Sequence, residues 1–178
     1  RLERALASFE QAVRLDPGMA VALGSRGATY GMKGDLDRAI ADLDQAVKLN
    51  PNDPRAFYNR AVAWRNKGDL DRAIADFDQA IKLDPKYVAA LYNRGNVFFV
   101  KKDIDRAIAD YDLAIKLKPD YAEAYFSRAI ANEGKKRFDE AIVDYGHVTK
   151  LEPTTAAAWA SGCRTQACIV RQQEAPGC

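Results

Sequence analysis

The sequence predicts an all-α protein, a solenoid of antiparallel helix pairs with about ten helices. Two observations carry that expectation. Pro17, Pro51, Pro85, Pro119 and Pro153 stand 34 residues apart. Between them one segment recurs three times almost unchanged, as GDLDRAIADLDQAVKLNP from Gly34, GDLDRAIADFDQAIKLDP from Gly68 and KDIDRAIADYDLAIKLKP from Lys102. Within the second copy Leu70, Ala73, Ile74, Phe77, Ala80 and Ile81 fall at i, i+3, i+4, i+7 spacing, which places one apolar stripe on a helix.

The elements follow in order. Leu2 to Asp16 reads as one helix, with Leu2, Ala5, Leu6, Phe9, Ala12 and Val13 on its apolar face. Ala20 to Lys33 with Leu36 to Asn50, Pro54 to Lys67 with Leu70 to Asp84, and Val88 to Lys101 with Ile104 to Lys118 read as three complete pairs. Ala122 to Lys135 with Phe138 to Glu152 is a fourth and looser copy. Each second helix stops before its proline, because a residue preceding proline is pushed out of the α region. Gly34 and Gly68 stand where a left-handed turn is wanted, each followed by a capping aspartate. Lys102 and Lys136 replace those glycines later, at up to about 1 kcal/mol each if the turn is kept. One array over 1–171 results: 1–19 is the second half of a repeat, 20–53, 54–87, 88–121 and 122–155 are complete repeats, 156–171 is a terminal capping helix that carries Trp159 on pattern, and 172–178 is a tail.

Composition narrows the function classes. Hydrophobic content of 48% is globular, and 29% charged residues with a net of +2 exert no strong pull on nucleic acid or an anionic membrane. The basic clusters Lys101-Lys102 and Lys135-Lys136-Arg137 lie at turns without interleaved aromatics, so no nucleic-acid partner is expected. No apolar run approaches the ~18 residues of a membrane helix, so no membrane partner is expected either. Cys163, Cys168 and Cys178 crowd the last sixteen residues, away from the lone His147; neither a disulfide framework nor a metal site is expected. The stretch carries no targeting signal, and a cytoplasmic setting is favoured.

No catalytic constellation appears. There is one histidine, no phosphate-cradling glycine loop and no nucleophile elbow, so neither enzymatic activity nor a cofactor is expected. Carboxylates recur in phase at Asp42, Asp76, Asp110 and Asp144, beside Arg26, Arg60, Arg94 and Arg128. A feature copied once per unit reads as a structural ladder of ion pairs, within a pair of helices or across neighbours.

The units resemble tetratricopeptide repeats, helix–turn–helix motifs of 34 residues with a bulky, a small and an aromatic residue, then alanine, aromatic and proline. These map onto Phe57, Ala61, Trp64, Ala73, Phe77 and Pro85, and onto Leu91, Gly95, Phe98, Ala107, Tyr111 and Pro119. The first complete unit carries Leu23, Gly27, Tyr30, Ala39, Leu43 and Pro51. The fourth departs, with Asn132 for the aromatic and Val148 where Ala46, Ala80 and Ala114 stand, so its packing is expected to differ. The close copying resembles bacterial members of the family, and the start inside a unit leads us to expect a piece of a longer protein.

The resemblance implies a right-handed superhelix whose first helices line a concave groove. The groove residues would be Tyr58, Asn59, Val62 and Asn66, then Tyr92, Asn93, Asn96 and Val100, then Phe126, Ser127 and Ile130. The first unit offers only Gly24, Ser25, Ala28 and Met32, a smooth floor. Asn59 and Asn93, flanked in register by Ser25 and Ser127, form a polar ladder similar to that of repeat domains attached to protein O-glycosyltransferases. The carboxylate clamp of co-chaperone repeats is matched at its central asparagine alone, so a chaperone tail is not the expected partner. The expected function is a non-catalytic scaffold that binds a peptide or partner segment. The alternatives are a regulatory or substrate-presenting arm of a larger enzyme, and self-association through the terminal helices.

Overall fold

Aspartates and a proline settle the free amides at several of the helix starts, and helices stop where the backbone turns left-handed or extended. A computed structural model describes residues 2–153. Among these are nine helices: α1 (Leu2–Leu15), α2 (Ala20–Met32), α3 (Leu36–Leu49), α4 (Pro54–Lys67), α5 (Leu70–Leu83), α6 (Val88–Val100), α7 (Ile104–Leu117), α8 (Ala122–Gly134) and α9 (Phe138–Leu151). The expected helix at 156–171, the tail and the three cysteines lie outside the described residues.

The second helices α3, α5 and α7 open alike. Asp35, Asp69 and Asp103 accept from the backbone N–H of Arg38, Arg72 and Arg106. In α4, Asp53 caps and Pro54 occupies the first turn, where a missing N–H costs nothing. Arg137 stands at the same place before α9, which consequently has no side-chain cap.

One turn closes all four pairs. Asp35, Asp69, Asp103 and Arg137 donate their backbone N–H to the carbonyls of Tyr30, Trp64, Phe98 and Asn132 at 2.9–3.0 Å. The residue before each has positive φ: Gly34 at 83°, Gly68 at 90°, Lys102 at 64° and Lys136 at 61°. The lysines therefore adopt the conformation that glycine takes freely.

Contacts divide the chain inside α6, between Val97 and Phe98, into two compact units. In the first, α2 packs on α3, α3 on α4 and α4 on α5, with α2 also beside α4. Small side chains permit the close approach: Ala39, Ala61 and Ala73 are fully buried, and a Cβ added to Gly27 would lie 2.8 Å from Leu43. One cluster gathers Phe57, Ala61, Ala73, Phe77, Ala80, Ala90 and Val97; another gathers Leu6, Tyr30, Ala39, Ile40, Leu43 and Ala63, with Trp64 packed against both. The core is thus a string of clusters along the stack, as a solenoid requires. α1 buries Leu6 and leaves Leu2 exposed.

In the second unit α7 packs on α8 and α8 on α9. Ala107, Ala129 and Ala141 are fully buried, in register with their counterparts in the first unit. Asn132 and Val148, the two departures from the pattern, are buried as well, so the fourth pair closes around them.

Candidate functional site on the first helices

The recurring charges are occupied in holding the helices together. Arg60 grips Asp76 of its own pair through two hydrogen bonds of 2.8 and 2.7 Å and reaches Asp44 of the preceding pair at 2.8 Å. Arg128 does the same with Asp144 and Asp112, Arg26 holds Asp42 with both hydrogen bonds at 2.7 Å, and Arg94 reaches Asp78. Both expected kinds of pairing are present, within a pair and across neighbours. The carboxylate bonds outweigh burial and raise the pKa of the Arg60 and Arg128 guanidiniums above its ordinary value. Lys33 to Glu3, Lys67 to Asp37 and Lys135 to Asp105 add a further ladder between the end of a first helix and the start of the preceding second helix.

A third ladder was not foreseen from the sequence. Arg38, Arg72 and Arg106 fold back onto the capping carboxylates at 2.5–2.6 Å. Their guanidiniums lie 4.5, 3.7 and 4.3 Å from the ring centroids of Tyr30, Trp64 and Phe98. Cap, arginine and aromatic form one cation–π device. The signal was present: the fourth unit loses all three together, with Arg137, Glu140 and Asn132 in those places.

The first helices present a different surface. Tyr58 is half-buried, with ring centroids 5.9 Å from Phe77 and 5.0 Å from Tyr87. Its hydroxyl accepts from Asn93 Nδ2 at 3.2 Å. Asn93 also donates to the Ala89 carbonyl at 2.8 Å, while its Oδ1 accepts from Arg65 at 2.5 Å. Burial raises the pKa of both tyrosines, with Tyr87 pushed up to about 12 and the neighbouring Tyr58 contributing. Both hydroxyls are therefore protonated at neutral pH.

Asn59, one repeat earlier, behaves otherwise. Among the described residues its amide makes no hydrogen bond, and it lines a cavity of about 310 Å³ between α2 and α4. Gly24, Ser25, Ala28 and Met32 form one wall. The floor that reads as smooth in the sequence is thus a hollow. The available signal was Gly24, Ser25 and Ala28 at places that hold the larger Tyr58, Asn59 and Val62 a repeat later.

The remaining expected residues are spread over the two units. Val62 packs against the Phe57–Phe77 cluster, Asn66 accepts from Arg65, and Tyr92 and Asn96 are half-buried. Val100 is 61% exposed. In the second unit Phe126 meets Tyr145 edge-on at 5.8 Å, beside half-buried Ser127 and Ile130. The structure joins Asn93 to Tyr58 directly and to Asn66 through Arg65, and leaves Asn59 to the cavity. His147 stacks on Tyr125 at 4.7 Å, and the described residues contain no cluster of three or more metal-ligating side chains.

The tetratricopeptide repeat profile matches residues 30–88, 65–122 and 103–148. The chain belongs to the tetratricopeptide repeat family. Tetratricopeptide repeat proteins are in general non-enzymatic scaffolds for protein–protein interaction, and this chain has their all-helical solenoid fold. Among solved structures it is similar to MamA at 29% identity, over 88% of this chain and 91% of that one, with a TM-score of 0.79. It shares the fold of YrrB, described as a tetratricopeptide repeat protein with an unusual peptide-binding site, at 20% identity over 91% and 84% of the two chains and a TM-score of 0.73. It likewise shares the fold of TTC0263, a thermophilic tetratricopeptide repeat protein of Thermus thermophilus, at 23% identity over 91% and 90% and a TM-score of 0.74. No curated relative matches the sequence. Among the described residues no helix of this repeat array is long and apolar enough to cross a membrane.

Proposed function

We propose that this chain is a non-catalytic interaction module that binds an extended or helical peptide segment of a partner protein along the groove face of its first helices. The observation that carries the reading is the division of labour between the two helices of each pair. The second helices α3, α5 and α7 are nearly identical, and their arginines and aspartates are taken up in ladders that repeat with the fold. A surface copied so closely holds little information about a particular ligand. The first helices vary from unit to unit and carry amides beside aromatic rings: Asn59, Asn93 and Asn96 with Tyr58, Tyr92 and Phe126. An amide both donates to and accepts from a peptide backbone, and an aromatic ring offers rigid apolar area.

The test is selection from a phage-displayed random peptide library on the immobilised chain, followed by fluorescence anisotropy with a selected peptide. The double variant Tyr92→Ala with Asn93→Ala is expected to weaken that peptide at least tenfold with unchanged helicity. Equal binding to the double variant, or no enrichment at all, defeats the reading.

A further inference from the structure

We propose that the cavity between α2 and α4 is a socket for one tyrosine side chain of the bound peptide, with the phenol hydroxyl meeting the Asn59 amide. The inference rests on the groove face being a peptide site and names what one part of it takes.

The chain supplies its own template. Between α4 and α6 the gap is filled by the Tyr58 ring, tilted against Tyr87 at 5.0 Å, with the hydroxyl on Asn93 and Arg65 closing the far side of that amide. One repeat earlier the same four places hold Gly24, Asp53, Asn59 and Gly31. The ring, its aromatic neighbour and the arginine are gone, and only the amide that reads the hydroxyl is kept. What remains is the cavity of about 310 Å³, at the small end for a ligand site.

Chemistry selects the occupant. Phe9, Ala28, Met32 and Ala46 give the cavity an apolar lining suited to a ring. Asn59 contributes an amide that makes no hydrogen bond among the described residues, whereas Asn93 has spent both ends of its own on Tyr58, Ala89 and Arg65. Arg55 and Asp53, the charged residues of the lining, are paired at 3.0 Å and neutralise each other, so the cavity offers no net charge to a carboxylate or a phosphorylated side chain. A neutral ring with a polar tip is complementary to such a site. A Cβ built on Gly24 meets only Ala46 Cβ at 3.9 Å, an ordinary van der Waals contact, so a side chain has room to leave the backbone there.

The experiment uses the whole chain, isotope-labelled, titrated with p-cresol as the free tyrosine side chain and with toluene as its counterpart lacking the hydroxyl. Saturable NMR shifts are expected at the amides of Gly24, Ser25, Ala28 and Asn59. p-Cresol should bind about three- to tenfold tighter than toluene, the worth of one hydrogen bond. Asn59→Ala should erase that preference, and Gly24→Tyr, which builds the missing ring in cis, should abolish binding while helicity is kept. Shifts elsewhere or none, equal binding of the two probes, or undiminished p-cresol binding to a folded Gly24→Tyr variant overturns the socket. The two readings fail separately. A library peptide that binds Gly24→Tyr as well as the parent chain removes the socket and leaves the groove. Binding of p-cresol at Gly24 with no peptide enriched removes the groove reading.

Discussion

Replacing Lys102 with glycine should stabilise this protein. Lys102 has φ of 64° in a turn that Gly34 and Gly68 close with φ of 83° and 90°. A side chain in the left-handed region costs about 1–2 kcal/mol, through the approach of Cβ to the carbonyl oxygen. Glycine returns about 0.5–1 kcal/mol of that through its greater freedom in the unfolded chain. The net gain for Lys102→Gly is about 0.5–1 kcal/mol, or roughly 1–4 °C in Tm for a chain of this size. Lys136→Gly, with φ of 61° in an equivalent turn, should add a similar amount. The converse checks the cause: nothing lies within 4 Å of a Cβ built on Gly68, so Gly68→Lys should lose the same energy through the backbone alone. Thermal and urea unfolding followed by far-UV circular dichroism measure both. A neutral or lowered midpoint for Lys102→Gly, together with a neutral Gly68→Lys, would refute the left-handed turn as the source of strain.

Ala73→Leu should destabilise by about 1–3 kcal/mol, because Ala73 is fully buried in the cluster with Phe57, Ala61 and Phe77. Exposed Ala75→Leu is the control, and equal midpoints for the two would mean that the contact face is wrong. Acid sensitivity should follow from the caps. Hydrogen bonds from Arg38, Arg72 and Arg106 hold Asp35, Asp69 and Asp103 below the ordinary carboxylate range. A carboxylate depressed on folding adds stability that is present above its unfolded pKa of about 4 and lost as pH falls through the folded value. Tm should therefore drop on acidification below about pH 4. The triple variant Asp35→Asn, Asp69→Asn, Asp103→Asn keeps cap acceptors but cannot titrate there, so its Tm should change less with pH. Superimposable pH curves would remove the caps from the account.

The helices, their limits and the arginine–aspartate ladder were legible because each depends on residues close in sequence or repeated in phase. Leu70 to Ile81 forms a stripe at helical spacing, Asp69 caps within one turn, and Pro85 stops the helix locally. The groove face proposed as the binding site was legible only as a set of register positions. Asn59 and Asn93 occupy one place in successive repeats and read as equals in the sequence. They differ in the structure because the neighbours that decide their state come from other helices.

Sequence by itself determined the repeat, the helix pairs, the left-handed turns and which helix varies. The tertiary structure decided which asparagine is engaged and which is open. Tyr58, 35 residues from Asn93, and Arg65, 28 residues from it, converge on that amide when α4 and α6 come together. Gly24 and Gly31 bring no side chain to the matching places beside Asn59, so the gap between α2 and α4 stays open. A hydrogen bond and a cavity depend on what packing brings within a few ångströms, and periodicity along the chain does not record that distance.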